Sequence, residues 1–436
     1  MDTFELIGLC PIDTYPIQRK HNPTTEYMRS IAHLKPRTNT GAAIARVRSI
    51  VSYATHMFFQ NESFQYVHTP IITSSDCEGA GEMFRVTTLP IDDRTKIQIC
   101  STSDKNENEN IVTSTGTGTS SGNGNDTGAG VLISDSEHDS VSNKIEHTDF
   151  QSDFFQKQAY LTVSGQLSAE TYATALSDVY TFGPTFRAEK SDTSRHLAEF
   201  YMVEPEMSFC DMHEAMANAE NYIKFVLQYS YTHCREDMDF FNKYHDKHLF
   251  NRILKYIEPN PSTGETVPFV RLSYHDAVHQ LQIEINKNRK KWLYPNLKLG
   301  DDLHSEHEKW LSGQKYKDSC IFIYNYPRNI KSFYMRDGEY INDIQVVSAF
   351  DLIVPKIGEL VGGSQREERL DILVDKIEEF GLNIDNYDWY LDLRRYGTVP
   401  HSGYGVGFER LICLVTGMDN VRDVIPYPRY LGKADF

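Results

Sequence analysis

Basic residues are in deficit in this 436-residue chain: 44 Lys and Arg stand against 61 Asp and Glu, a formal net charge of −17. That is the wrong sign for a protein that coats itself in nucleic acid, so any RNA contact must use local basic patches. Cysteine is scarce and unpatterned. Its seven copies, at positions 10, 77, 100, 210, 234, 320 and 413, form no CxxC pair and no metal-ligand spacing. Such a scattered odd set suggests reduced thiols and a cytoplasmic location. No apolar run reaches the roughly 18 residues of a membrane span, so no membrane partner is expected. MDTFELIGLC at the start has no basic leader ahead of an apolar core, and no signal peptide is expected. Internal repeats are absent too. The length allows two or three average domains, or one large domain with an insert.

What is present centres on Tyr180–Met207, YTFGPTFRAEKSDTSRHLAEFYMVEPEM. Its flanks, Val179–Phe186 and Leu197–Val203, are apolar and aromatic and read as strands. Between them lies a polar loop, Ala188 to His196. The pattern predicts an antiparallel hairpin with a long mobile loop. Charges gather at the strand ends: Arg187 and Glu189 leaving the first, Arg195, His196 and Glu199 entering the second. Arginine presents a planar fork of donors suited to phosphate or carboxylate. Two arginines and a histidine at a hairpin mouth can hold a polyphosphate, or can form ion pairs on a solvated hairpin.

A second stretch favours the phosphate. Gly403-Tyr-Gly-Val-Gly-Phe-Glu-Arg410 precedes an apolar run of helical spacing, Leu411–Met418. Glycines at every second position, 403, 405 and 407, mark a strand with one bare face, where a flat ligand or another backbone approaches closely. Arg410 then falls in the first turn of a helix, where positive charge is locally unfavourable and an anionic partner is expected.

The remainder supplies the frame. Phe4–Cys10 looks strand-like, and Gly41–Gln60 carries apolar residues at i, i+3, i+4 and i+7. Tyr66–Thr73 reads as a strand interrupted by Pro70, as at an edge or interface. Residues 91–148 collapse into Ser, Thr, Asn, Gly and Asp. Too little apolar surface is available there to offset ordering entropy, so a disordered insertion is expected. Asp211 with Glu214 resembles a capping box opening a helix, and 208–330 reads as a mostly helical additional region. Ser332–Met335 and Val346–Pro355 read as strands, and Gly358–Arg369 as a turn opening a helix. Strands at both ends and helices in the middle suggest an α+β fold on an antiparallel sheet.

The hairpin and the glycine strand followed by Arg and helix, in this order, resemble the second and third signature motifs of class II aminoacyl-tRNA synthetases. Closer still, LTVSGQL (161–167), GPTFRAE (183–189), RHLAEF (195–200), MVEPEM (202–207), GGSQREER (362–369) and YLDLRRYG (390–397) resemble the asparaginyl-tRNA synthetases. The resemblance runs from about Tyr15 to Phe436, leaving out the insertion. It implies a catalytic domain over 26–436 built on a mixed, mostly antiparallel sheet of six or seven strands flanked by helices. It also implies that 1–25 is the last strand and hinge of an N-terminal OB anticodon-binding domain otherwise absent. The long helix and the proline-interrupted strand match the first motif, which builds the family's homodimer interface.

The resemblance also implies roles. Arg187 would hold the α-phosphate of ATP during attack by the amino-acid carboxylate. Glu189 would meet the adenine edge, Phe200 would stack on the ring, and Gly405 and Gly407 would lie against the nucleotide. Arg195, His196 and Arg410 would bind the departing phosphates, and Asp351 and Glu359 would hold Mg²⁺. Glu78, Gln166 and Ser164 would surround the amino end of the substrate. The partners implied are L-asparagine, ATP and tRNA(Asn).

Side-chain selection is where individual residues discriminate. Arg366 matches an arginine that holds the substrate's side-chain oxygen in both aspartyl and asparaginyl enzymes. The aspartyl relatives pair a lysine with the carboxylate three positions after the Gln166 equivalent, and Ala169 stands there in this chain. Where they place an aspartate after the second hairpin strand, this chain has Glu204. One fewer cation and an inward acceptor suit a neutral amide. The leading expectation is thus ATP-dependent asparagine activation and transfer to tRNA. A ligase making asparagine from aspartate and ammonia, and a non-catalytic binding paralogue, are the alternatives.

Overall fold

The computed structural model describes residues 5–18, 23–77, 82–89 and 150–436. The expected disordered insertion over 91–148 and the substrate candidate Glu78 lie outside the described residues. Two compact units result, Met1–Val86 with Gln158–Phe436, and Thr87–Lys157. In the smaller, the Asp153 carboxylate accepts from Thr87 Oγ1 at 2.7 Å and from the amides of Thr88 and Phe154 at 2.9 and 2.8 Å.

The larger unit runs in chain order as follows. Helix α1 (Thr25–Ser30) and the long α2 (Asn39–Asn61) precede short strands β1 (Gln65–Tyr66), β2 (Ile72–Thr73) and β3 (Arg85–Val86). After β4 (Ala159–Leu161) come α3 (Gln166–Leu176) and the hairpin β5 (Val179–Phe186) and β6 (Glu199–Ser208). Helices α4 (Met212–His233), α5 (Arg235–Tyr244) and α6 (Leu249–Ile257) lead to β7 (Val270–Ser273), α7 (Tyr274–Lys287) and α8 (Ser305–Lys309). Strands β8 (Ile321–Pro327), β9 (Asp337–Ile341), β10 (Ile344–Val354) and β11 (Gly358–Gln365) follow. The chain closes with α9 (Leu370–Glu379), α10 (Asp388–Arg395), β12 (His401–Gly407), α11 (Phe408–Thr416) and α12 (Val421–Val424).

Among the described residues the main sheet has nine strands, ordered β1-β5-β6-β12-β11-β10-β8-β7 with β9 paired to β10. β1 on β5 and β7 on β8 are parallel and the other pairs are antiparallel. This mixed sheet is wider than the six or seven strands expected, because two short parallel strands extend its edges and β9 joins at one end. The hairpin register is continuous from Val179↔Glu206 to Phe186↔Glu199.

Alternation along the strands divides the sheet into two faces. Val203, Phe350, Leu352, Tyr404 and Val406 join a core filled by α2 and α4 through Val47, Val51, Phe59, Tyr222 and Val226. Fully burying one such aliphatic or aromatic side chain contributes about 1.5–3 kcal/mol. The two helices also share a hydrogen bond, Thr55 Oγ1 to Tyr222 OH at 2.8 Å. The capping box of Asp211 and Glu214 opens α4, whose apolar face belongs to this core.

Three local expectations fail. Residues 5–10 carry no strand. The strand expected at Ser332–Met335 is irregular chain, and β9 begins instead at Asp337. Gly358–Gln365 is strand, not a turn, and α9 starts only at Leu370. The reason for the last is packing: a Cβ on Gly363 would stand 2.5 Å from Phe350 Cζ and 2.6 Å from Tyr404 Cβ. That glycine permits two large neighbours to meet across the sheet.

Candidate active site

The residues alternating with the core side chains open onto one cavity of about 440 Å³. From β6 it receives Phe200, Met202, Glu204 and Glu206; from β10 and β11, Asp351, Glu359 and Gly362; from β12 and α11, Gly405, Gly407 and Arg410. Arg187, Glu189, Arg195 and His196 enter from the hairpin mouth, and Ser164, Gln166 and Arg366 from its other end. Every candidate named from the sequence lines this cavity except Glu78, which lies outside the described residues.

At one end lie the cations. Arg187 terminates β5, and its guanidinium carbon is 5.5 Å from the centre of the Phe200 ring. Arg410 sits in the first turn of α11 and donates to the Glu359 carbonyl at 2.6 Å. The hairpin loop is tied down from α12: Val421 N donates to Ser194 O at 3.0 Å, and Arg422 Nη2 to Asp192 Oδ1 at 2.6 Å. His196 packs its Nδ1 against Thr193 Oγ1 at 2.6 Å and Ser191 Oγ at 3.0 Å. Burial lowers its pKa, with Glu189 pulling the other way.

Two carboxylates face each other across the β10–β11 ladder, where Asp351 pairs with Gly362. A Cβ on Gly362 would stand 3.3 Å from Glu359 Oε1 and 3.5 Å from Asp351 Oδ1. The bare Cα therefore lets both oxygens converge. Lys331 Nζ donates to the other Asp351 oxygen at 2.7 Å. Burial raises the Asp351 pKa against the pull of Lys331. An all-oxygen donor pair of this kind fits a hard divalent cation.

The opposite end is polar and buried. Glu204, 3% exposed, accepts from the Ser164 hydroxyl and from Gly165 N at 3.0 Å. Burial raises its pKa, and the Ser164 and Gly165 hydrogen bonds oppose that rise. Gly165 is needed here, since a Cβ would lie 2.5 Å from Thr69 Oγ1 and 3.2 Å from Glu204 Oε2. Arg366 donates to Glu206 twice and through Nη1 to Ser364 Oγ at 3.0 Å. Beneath it, Glu170 accepts from Gln166 Nε2 at 3.0 Å, Tyr390 OH at 2.7 Å, His401 Nε2 at 2.9 Å and Arg394 Nη2 at 3.2 Å. Burial works against the Glu170 charge, yet His401, Arg394 and Arg366 hold its pKa well below the usual carboxylate range. Ala169 does not line the cavity; it packs with Val67, Ala173 and Val179.

The glycines of β12 serve more than a ligand. A Cβ on Gly403 would overlap the Glu206 carboxylate, and one on Gly405 would stand 2.5 Å from Met202 Cε. Glu206 itself was within reach of the sequence, two residues from Glu204 and so on the same strand face. His401 and Lys331 left no local signal, because their partners Glu170 and Asp351 lie 231 and 20 positions away.

A family model described as tRNA synthetases class II (D, K and N) matches residues 132–431. The asparagine–tRNA ligase of Protochlamydia amoebophila is 48% identical over 431 residues, covering 99% of this chain and 79% of that one. The chain belongs to the asparagine–tRNA ligases, class II synthetases. An asparagine–tRNA ligase of Clostridium tetani is 46% identical over 425 residues, covering 98% of this chain and 78% of that one. Among solved structures, asparaginyl-tRNA synthetase from Pyrococcus horikoshii complexed with asparaginyl-adenylate superposes with a TM-score of 0.71 at 28% identity. That match covers 96% of this chain and 76% of the other. Among the described residues, no helix is long and apolar enough to cross a membrane.

Proposed function

We propose that this cavity joins L-asparagine to ATP as asparaginyl-adenylate and then passes the asparaginyl group to a hydroxyl of tRNA(Asn), releasing AMP. A carboxylate oxygen of asparagine attacks the α-phosphorus, the bond to the β-phosphate oxygen breaks, and pyrophosphate leaves. The nucleophile is already anionic and needs no general base. The chain's work is positioning and charge stabilisation. Arg187 takes the α-phosphate, while Arg195, His196 and Arg410 take the leaving phosphates. Glu189 meets the adenine edge, Phe200 stacks on the ring, and Gly405 and Gly407 keep one wall low. Asp351 and Glu359 would hold Mg²⁺, which when bound neutralises phosphate charge. Glu78, Gln166 and Ser164 hold the amino end.

One observation carries the amino-acid assignment: Glu204 and Arg366 both open onto the same buried end of the cavity. Arg366 has five N–H donors and three are engaged within the chain. The rest can reach an amide oxygen. Glu204 accepts once on each oxygen from Ser164 and Gly165, which leaves lone pairs for an amide NH₂. A substrate carboxylate would meet the Glu204 charge instead.

Exposed Tyr66, beside His56 of α2, and exposed Ile71 and Ile72 further along the chain support a homodimer. Six cysteines among the described residues, all free thiols, support a cytoplasmic location. ATP–pyrophosphate exchange with asparagine and with aspartate, followed by charging of tRNA(Asn), tests the function. Asparagine-dependent exchange and charging are expected. Aspartate as the better substrate, with ammonia consumed and free asparagine released, would replace this reading with an asparagine-forming ligase.

A further inference from the structure

The loop arginine expected at the outer phosphates is already held, by a residue that no sequence pattern singled out. Arg195 Nη1 donates to Ser305 Oγ at 3.1 Å and to Glu308 Oε2 at 3.4 Å. The Arg195 and Glu308 side chains are largely buried, at 18% and 14% exposure. Arg195 Nη2 is buried and has no hydrogen-bond partner among the described residues. Gly358 makes this meeting possible. At φ +88°, a Cβ there would stand 2.5 Å from Arg195 Nη1 and 2.6 Å from Glu308 Oε2.

Glu308 has anchors of its own, apart from the hairpin loop. Glu308 is carried by α8, whose Glu306 accepts from the amides of Leu293 and Tyr294 at 3.0 and 2.5 Å. His307, next along α8, is fully buried beside Trp292, and Ser312 Oγ donates to the Glu308 carbonyl at 2.9 Å. Arg195 is carried by the hairpin loop, whose backbone α12 holds at Ser194. A fixed carboxylate thus grips one nitrogen of a loop arginine whose guanidinium lines the cavity.

We propose that Glu308 is a positioning residue for ATP: it presents Arg195 to the outer phosphates with Nη1 engaged and Nη2 left to donate. The proposal rests on the assignment of Arg195 to the β- and γ-phosphates made above. Holding a long side chain in its bound rotamer before the ligand arrives removes part of the ordering cost of binding.

The test compares ATP with AMP, which lacks the phosphates Arg195 would meet. Calorimetric binding of each to the parent and to Glu308→Gln is measured alongside the KM values for ATP and asparagine in exchange. Glu308→Gln should weaken ATP about tenfold while AMP and the asparagine KM stay within about twofold, as for loss of one charge-assisted contact. Ser305→Ala, which removes only the hydroxyl, should give a smaller loss in the same direction. Equal losses for ATP and AMP, or none for ATP in either variant, would overturn the positioning role. A parent that binds ATP no more tightly than AMP would instead overturn the assignment of Arg195 to the outer phosphates, and this inference with it.

Discussion

Arg366 donates from Nε and Nη2 to the two oxygens of Glu206, at 3.1 and 2.5 Å, with the side chains 2% and 0% exposed. This bidentate pair fixes the plane of the guanidinium proposed to meet the substrate amide. Burial and the nearby Glu170 carboxylate push the Glu206 pKa up, and Arg366 opposes them. The pair floors the pocket; its value is in geometry as much as stability.

Removing one partner leaves the other charge buried. Glu206→Ala should cost roughly 3–5 kcal/mol of unfolding free energy, as for other broken buried pairs. It should also raise the asparagine KM more than the ATP KM. Denaturant unfolding and exchange kinetics check both. A loss below about 1 kcal/mol, the usual worth of an exposed pair, would show Arg366 finding a substitute partner, with Glu170 at 3.9 Å the nearest.

Much of this site was readable before the structure because its chemistry is local. Arg187 directly follows β5, Arg195 and His196 lie in the loop just before β6, both strands have unambiguous aromatic runs, and Arg410 closely follows a glycine strand. The capping box at Asp211 was legible for the same reason. Where sequence reading failed, the deciding contact was distant. Gly362 and Gly363 looked like a turn because glycine signals both turns and close packing. Only the approach of Phe350 and Tyr404 separates the two. His401 and Glu170, 231 positions apart, carry no local pattern. At Phe4–Cys10 the apolar run has no partner strand among the described residues, and a lone strand is not stable.

The packing account of the glycines has a built-in control. Gly363→Ala should destabilise by about 1–3 kcal/mol through overpacking, because its Cβ would press on Phe350 and Tyr404. Gly183→Ala, in the same sheet, meets nothing within 4 Å and should be neutral or slightly stabilising. Thermal unfolding of both separates the cases. Equal midpoints would refute the packing explanation for β11.

Lys35 gives a stability effect separate from the chemistry. Its ammonium donates to the Asp423 and Ile425 carbonyls, and burial lowers its pKa to about 8 despite Asp423. An unfolded lysine keeps its proton to about pH 10.4. Between these values the unfolded chain binds more protons, so stability must rise with pH. Relative to Lys35→Met, the parent should gain about 2 kcal/mol from about pH 8 to about pH 10.5. Using the difference cancels other groups that titrate there. A flat difference would show that the ammonium loses no proton on this side of its ordinary range.

Glu204 is the residue proposed to set selectivity. Its two oxygens are steered by Ser164 and Gly165, and Arg366 opens onto the same end of the cavity. In the proposed pose asparagine would complete both sets of bonds at once, with its oxygen toward Arg366 and its NH₂ toward Glu204. Aspartate has no hydrogen to offer Glu204 and brings a like charge into a buried place. Sites built on such pairing can discriminate by about 10⁴–10⁵. Glu204→Ala removes the acceptor and the repulsion together, so asparagine should lose far more than aspartate and the gap should narrow. Glu204→Gln keeps the volume and can still accept from the amide through its own oxygen, so it should retain more asparagine activity than the alanine variant. Exchange rates for both amino acids with all three proteins decide the matter. If Glu204→Ala lowers the two substrates equally, Glu204 holds the fold of the pocket and selection lies elsewhere.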